Sequence, residues 1–347
     1  MKKVCFLFGS NSFEHKVSVT SLRSVLLGYK TTRFEIFVAG LDKKNSLQFF
    51  EKGLFLERFS SYGSFESTDQ PVPFETLKEF DAVFPLVHGG LGEDGSIQGL
   101  LSLLGVPFVG PSVLSSAICF DKEFAKRLLD QQGVKVVPWI CLHLSDSVDK
   151  DRVSKELGFP CFVKPAASGS SCGVTKVFFP DDLARAVEIA RNFSQKVLIE
   201  KAVQGMELEC AVLGLENLIA SKVGQIIPKK AFYDYEAKYI LPDGALIEAP
   251  AKIDKNLEQE VQAMAKSVFK ALDCEIMARV DFFYDGELYL NEVNTIPGFT
   301  PISLYPTLLG LSGIDYTTLL DSLFVMAIDR FQRAHPVQHP PIAQCPL

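Results

Sequence analysis

Arg279-Val280-Asp281-Phe282-Phe283-Tyr284-Asp285-Gly286-Glu287-Leu288-Tyr289-Leu290-Asn291-Glu292-Val293-Asn294 is the stretch from which the rest of the chain can be read. Asp285-Gly286 between two apolar runs is a strong signal for a two-residue hairpin turn. With those residues as the turn, Tyr284 pairs with Glu287, Asp281 with Leu290 and Arg279 with Glu292. Paired residues share a face and the side-chain period is two, so Arg279, Asp281, Glu292 and Asn294 project to one side while Val280, Phe282 and Val293 project to the other. Two carboxylates and an amide oxygen on one sheet face are hard-oxygen ligands suited to Mg²⁺. Arg279 beside them suits a phosphate or a developing oxyanion. A solvated charged hairpin is the plainer alternative. It ranks lower because the opposite face is apolar and because Thr295-Ile296-Pro297-Gly298 follows, where a tight turn presents backbone N–H groups to an anion. The parity depends on the turn: one residue more or less would reverse it.

Outward from this hairpin the chain divides by pattern. Residues 4–8, 34–41, 82–88 and 107–109 read as strands, with 17–27 and 96–104 as helices between them. That alternation builds a parallel sheet with helices on its faces. Ligands collect beyond the carboxyl ends of such strands, where Gly9-Ser10-Asn11 and His88-Gly89-Gly90 fall. A helix over 114–132, stopped by Gly133, leads through Pro138 into a second region. There, strand 160–164, a Gly and Ser turn, strand 174–179, helix 181–193 and strand 197–200 suggest an antiparallel α+β module. A third region has strands at 207–213 and 220–227, a Tyr-rich polar stretch at 231–239, a helix at 256–272 and the hairpin. The expected division is an N-terminal α/β domain (1–112), two α+β units (113–203 and 204–331) and a loose Pro-rich tail (332–347).

Lys164-Pro165-Ala166-Ala167-Ser168-Gly169-Ser170-Ser171-Cys172-Gly173-Val174 lies between two strands, so it is not a Walker A loop, which opens a helix. Its glycines and serines can still fold backbone N–H groups over phosphates while Lys164 neutralises them. A plain hairpin turn is the alternative. Glu200-Lys201-Ala202-Val203 ends a strand, where a backbone edge suits an adenine and Glu207 the ribose hydroxyls. Taken singly, His88 reads as a structural hydrogen-bonder, Glu14 as an acid at a helix N-terminus, and Ser303 as a helix cap.

With 347 residues the chain exceeds what one core usually serves, which favours two or three units around a cleft. A net charge of -7 argues against a nucleic-acid surface. The eight cysteines have no CxxC pair and no His-Cys cluster, as expected of buried thiols in a reducing compartment. The apolar run after Lys3 is too short for a signal peptide, and no segment has the length to cross a bilayer, so a cytoplasmic protein without a membrane partner is expected.

These pieces, in this order, resemble the D-alanine-D-alanine ligases of the ATP-grasp superfamily, from Gly9 to about Leu311. The motifs are Glu14-His15-Lys16-Val17-Ser18, His88-Gly89-Gly90-Leu91-Gly92-Glu93-Asp94-Gly95, Asp121-Lys122, the Lys164 loop, Tyr233-Asp234-Tyr235-Glu236-Ala237-Lys238-Tyr239, and Asn291-Glu292-Val293-Asn294-Thr295 through Pro297-Gly298-Phe299-Thr300. The resemblance implies an ATP-grasp fold, in which the N-terminal domain is followed by two α+β units enclosing an ATP site. It implies ATP-dependent joining of two D-alanines through an acyl phosphate, for peptidoglycan precursor synthesis. Lys122, Lys164, Ser170 and Ser171 would contact the phosphates, Glu200, Lys201 and Val203 the adenine, and Glu207 the ribose. Asp281, Glu292 and Asn294 would hold two Mg²⁺ (or Mn²⁺) ions. Glu14 would anchor the ammonium of the first D-alanine, with His88 near its carboxylate. Ser303, helped by Lys238, would fix the second. Ser170 and Tyr239 would link to Glu14 and close the Tyr-rich loop, while Arg279 and the Gly298 N–H would stabilise the tetrahedral oxyanion. Tyr239 favours an amine over a hydroxy acid as acceptor, and a homodimer is expected. The chain departs from the family at Ala167 and Ser168, where a larger polar residue is usual, and in a longer stretch over 54–73 without an assigned role.

Overall fold

In the computed structural model, residues 1–59, 71–228 and 245–334 are described. Strand β1 (Lys2–Gly9) is buried throughout Val4 to Phe8 because both its faces are covered. It runs parallel to β2 (Phe34–Leu41) on one side and to the next sheet strand, at Ala82–Leu86, on the other, and β3 (Leu47–Phe50) adds an antiparallel edge beyond β2. The sheet order is therefore β3-β2-β1-β4, with β4 being Ala82–Leu86. Residues 107–109 join it through a single parallel bridge from Val83 to Phe108 rather than as a full strand, because Gly110-Pro111 ends the extended run.

The alternation of β1 separates two apolar layers. Val4, Phe6 and Phe8 face α1 (His15–Gly28) and α2 (Lys52–Arg58), while Cys5 and Leu7 face the layer that holds Ile97 and Leu101 of α3 (Ser96–Leu104). The expected helix over 114–132 is two helices, α4 (Val113–Phe120) and α5 (Lys122–Gln131). Asp121 between them is extended, and its carboxylate accepts from the N–H groups of Glu123 and Phe124 at 3.2 and 3.3 Å. A short acid that caps a new helix ends the old one.

The second sheet is antiparallel, in the order β5-β8-β6-β7: β5 (Trp139–Leu142), β6 (Cys161–Pro165), β7 (Thr175–Val177) and β8 (Val197–Lys201). Helices α6 (Lys150–Glu156) and α7 (Leu183–Arg191) pack on it through Val153, Ala186 and Val187. The third sheet is also antiparallel. Its strands β9 (Met206–Gly214), β10 (Ile219–Pro228), β11 (Ala245–Glu248), β12 (Ile276–Tyr284) and β13 (Leu288–Asn294) run in the order β11-β10-β9-β12-β13. Helix α8 (Lys255–Ala271) covers one face through Leu257, Val261, Ala265 and Val268.

The hairpin register differs from expectation in two places. Tyr284 pairs with Leu288, so the loop has three residues, Asp285, Gly286 and Glu287, with Gly286 at φ 105°. A bulge at Asn291 then shifts the pairing again: Phe282 faces Leu290, but Asp281 faces Glu292 and Arg279 faces Asn294. Leu290, expected opposite Asp281, lies on the apolar face instead. The two one-residue changes cancel in parity, so Arg279, Asp281, Glu292 and Asn294 do share a face.

Helices α9 (Leu304–Leu311) and α10 (Tyr316–Ala334) return the chain to the first sheet. Phe324 of α10 packs on Phe6, Phe34 and Phe84 with ring centroids 5.3, 5.5 and 6.2 Å apart. Helix α10 runs on to Ala334, past the expected start of the tail; residues 335–347 lie outside the described residues. Among the described residues no single helix is long and apolar enough to cross a membrane.

Candidate active site

Two clefts meet between the sheets. The larger, about 310 Å³, is lined by Lys122, Lys164, Ser170, Ser171, Glu200, Lys201, Val203 and Glu207, all eight of the residues expected at a nucleotide. The smaller, about 100 Å³, is lined by Glu14, His88, Ser170, Arg279, Glu292, Asn294 and Gly298 among others. Lys122, Ser168, Gly169, Ser170 and Glu292 line both, so the clefts are continuous. Lys238 and Tyr239 lie outside the described residues. Ser303 and Asp281 line neither cleft.

Lys122 and Lys164 line the larger cleft, and Lys126 lies buried beneath it. Lys164, at the end of β6, places Nζ 2.7 Å from Glu200 Oε2, with Asn291 Oδ1 at 3.5 Å. Lys126, one turn after Lys122 on α5, reaches the other oxygen of Glu200 at 3.0 Å and donates to the Val137 carbonyl at 3.1 Å. Burial favours the acid form of Glu200, but the two lysines outweigh it and hold its pKa below the ordinary value. Its carboxylate is thus committed to cations, and an adenine would meet the backbone here. Lys122 donates to the Ser168 carbonyl at 2.8 Å and sits 3.4 Å from Glu292, which places it at the junction of the clefts.

The Lys164 loop reaches across to the first domain. Ser170 and Ser171 have φ of 50° and 58°, and the Ser170 hydroxyl donates to the Glu14 carboxylate. Glycines give that carboxylate its room. A Cβ on Gly89 would come within 2.1 Å of Glu14 Oε2, and one on Gly169 within 2.5 Å. Gly89 also has φ 66°, a conformation that side chains resist.

His88 is held at both ring nitrogens. Nδ1 donates to the Ile296 carbonyl at 3.1 Å, and Nε2 accepts from the Ser21 hydroxyl at 2.9 Å. Ser21 Oγ in turn accepts from the Phe299 N–H at 3.3 Å, so the neutral ring ties the segment that follows β4, and α1 through Ser21, to the loop that carries Gly298. Burial pushes the His88 pKa down to about 4. On the same loop Ser303 turns back: its Oγ accepts from the Thr300 N–H at 2.9 Å and makes no cap bond to α9.

On the hairpin face Arg279 grips Asp281 with two bonds of 2.8 Å and places Nε 2.8 Å from Glu209 of β9. Burial works against the guanidinium charge, but Asp281 and Glu209 outweigh it and raise its pKa further. The Asn294 amide donates to Asp281 Oδ2 at 2.8 Å. Two carboxylates and an amide in adjacent cross-strand pairs are a donor set that fits a hard divalent cation. Glu292 and Asn294 present to the cleft, and Asp281, only 2% exposed, backs them.

Sequence reading gave no role to Lys126, Ser21, Asn291 or Glu93. Glu93, inside the His88 to Gly95 motif, accepts from the Gly89 N–H at 2.9 Å. Burial, and then the nearby Glu14 charge, push its pKa up to about 8. For Glu93 and Asn291 the signal was the motif each lies in; for Lys126 and Ser21 only the fold brings the partners together.

Known proteins resemble this chain over nearly its whole length. Residues 3–111 match the family described as D-ala D-ala ligase N-terminus, and residues 128–325 that described as D-ala D-ala ligase C-terminus. A D-alanine--D-alanine ligase of Oceanobacillus iheyensis is 41% identical over 353 aligned positions, covering 96% of this chain and 96% of its own. Among solved structures, a D-Ala:D-Ser ligase from Enterococcus faecalis has a TM-score of 0.83 at 35% identity, over 94% of this chain and 99% of its own. A D-alanine--D-alanine ligase from Bacillus anthracis complexed with ATP has a TM-score of 0.77 at 28% identity, over 96% of this chain and 100% of its own. The chain belongs to the D-ala D-ala ligase family and has its ATP-grasp fold.

Proposed function

We propose that this protein joins two D-alanine molecules at the expense of ATP, in the cytoplasm, as a homodimer with residues 1–112, 113–203 and 204–331 as its three units. One observation carries the reading: a cleft lined by all eight expected nucleotide residues opens directly into a second cleft that holds Glu14 and Arg279. A carboxylate is a poor electrophile, so the first D-alanine must be activated. Its carboxylate attacks the γ-phosphate of ATP, giving an acyl phosphate and ADP, and the amine of the second D-alanine displaces phosphate.

Lys122 and Lys164 offset the charge of the phosphates at the junction, and positioning supplies much of the rate. Glu14 receives the first ammonium, oriented by its bond from Ser170. His88, with both nitrogens engaged, holds the Gly298 loop in place more than it touches substrate. Arg279, kept charged by Asp281 and Glu209, faces the cleft with Gly298, where the oxyanion develops. Asp281, Glu292 and Asn294 would hold Mg²⁺, which would supply further charge neutralisation at the phosphates. Ser303, helped by Lys238, is proposed for the carboxylate of the second D-alanine, and Tyr239, with Ser170, for the link to Glu14 that closes the Tyr-rich loop.

The test is phosphate release from ATP and Mg²⁺ with a panel of D-alanine, D-serine, D-lactate and L-alanine. D-alanine alone should support turnover at neutral pH, whereas preference for D-serine or D-lactate would overturn the acceptor assignment. Glu292→Gln should lower turnover roughly 100-fold or more, because it removes a charge worth several kcal/mol at the phosphates. Wild-type turnover in that variant would sink the metal-site reading.

A further inference from the structure

Of the buried pair Lys126 and Glu200, Lys126 has no part in the mechanism so far. Lys126 is 1% exposed, beneath the nucleotide cleft, and touches no substrate position. Its ammonium lies 3.0 Å from Glu200 Oε1 and bonds the Val137 carbonyl at 3.1 Å, with the Trp139 ring centroid 5.7 Å away. Lys164, which faces the cleft, holds the other carboxylate oxygen at 2.7 Å. Two cations therefore share one buried anion.

This sharing bears on how Lys164 can serve a phosphate. To turn toward one, it must loosen its grip on Glu200. A buried carboxylate left without any cation is strongly unfavourable, whereas one that keeps a partner is not. We infer that Lys126 is a positioning residue: it keeps Glu200 neutralised so that Lys164 can be handed from Glu200 to the nucleotide phosphates. Without Lys126, Glu200 would retain Lys164 and the phosphates would lose it. The inference rests on the larger cleft being the nucleotide site.

The charges around Lys126 agree with this. Facing it are Glu200 from β8, Lys164 from β6 and Lys122 from its own helix. Burial pulls its pKa down to about 8, against the pull of Glu200. Its proton is therefore lost as pH rises through that region, and the affinity for phosphates should fall with it.

The experiment compares Mg-ADP with adenosine, which shares the base and ribose but has no phosphate, by calorimetry or competition. Lys126→Met should weaken ADP binding roughly tenfold to a hundredfold and leave adenosine within about twofold. Lys126→Arg should bind ADP nearly as wild type and lose the decline in affinity above pH 8. Glu200→Gln added to Lys126→Met should recover much of the loss, because Lys164 is no longer held by a charge. If Lys126→Met does not fold, as judged by circular dichroism, Lys126→Gln takes its place, since an amide can still bond both Glu200 and Val137. Unchanged ADP affinity, a parallel loss of adenosine, or no recovery in the double variant would overturn the inference alone. Failure of the wild type to bind ADP would instead overturn the nucleotide reading together with it.

Discussion

At the scale of single residues, His88 shows how a group that attracts a catalytic reading can be structural. Both nitrogens are used within the protein, and the ring is 3% exposed. Folded His88 takes a proton only near pH 4, while an unfolded histidine does so near 6.5. Between those values the unfolded chain binds more protons, so stability falls as pH drops through this window, by about 3 kcal/mol in all. Denaturant unfolding followed against pH should show this acid limb flattened in His88→Gln. An identical limb in both proteins would remove His88 as its source. Gly89 makes a complementary point. A methyl group there would meet Glu14 Oε2 at 2.1 Å on a backbone at φ 66°, so Gly89→Ala should raise KM for the first D-alanine at least tenfold while Gly99→Ala, whose Cβ would meet nothing within 4 Å, should not. Equal KM values in the two variants would show that Glu14 does not need this space.

At the scale of elements, two devices aim the side chains of the site. The break at Asp121 starts a new helix so that Lys122 lies at its first turn, beside the loop at Ser168. Asp121 also pairs with Lys196 at 2.6 Å. Asp121→Ala removes both cap and ion pair and should cost about 1–2 kcal/mol, whereas Asp121→Asn keeps a capping oxygen and should cost less than half of that. Thermal unfolding of both variants measures it, and equal losses would mean that the cap contributes little. The second device is the hairpin, where the bulge at Asn291 undoes the parity change made by the three-residue loop. Along that edge Leu290 bonds the backbone of Lys135 and Val137, so the bulged strand is fixed from its outer side.

At the scale of the whole molecule, the last helix closes the structure on its beginning. Phe324 sits in a ring cluster with Phe6, Phe34 and Phe84, Tyr29 donates to Asp321 at 2.6 Å, and Arg330 donates to the carbonyls of Phe108 and Gly110 at 2.8 and 2.7 Å. The smaller cleft is lined both by groups that follow strands of the first sheet, Glu14 and His88, and by Arg279, Glu292 and Asn294 of the hairpin. Phe324→Ala opens a void in this junction and should lower stability by about 3–5 kcal/mol. A shift near zero in the denaturation midpoint would mean that the junction repacks freely.

Much of this protein is set locally. The parallel core of the first sheet (β1, β2 and β4) and the antiparallel order of the middle region follow from side-chain periods and turn residues, which act between neighbours along the chain, whereas the shared face of Arg279, Asp281, Glu292 and Asn294 needs the bulge at Asn291 to restore a parity that the three-residue loop alone would reverse. Other features depend on contacts between distant segments. The bulge at Asn291, the union of Lys126, Lys164 and Glu200, the locking of His88 by Ser21 and Ile296, and the return of α10 to the first sheet all join residues far apart in sequence. No local period records such pairings; burial decides them, because a polar group taken out of water must find its partner wherever the packed chain puts one.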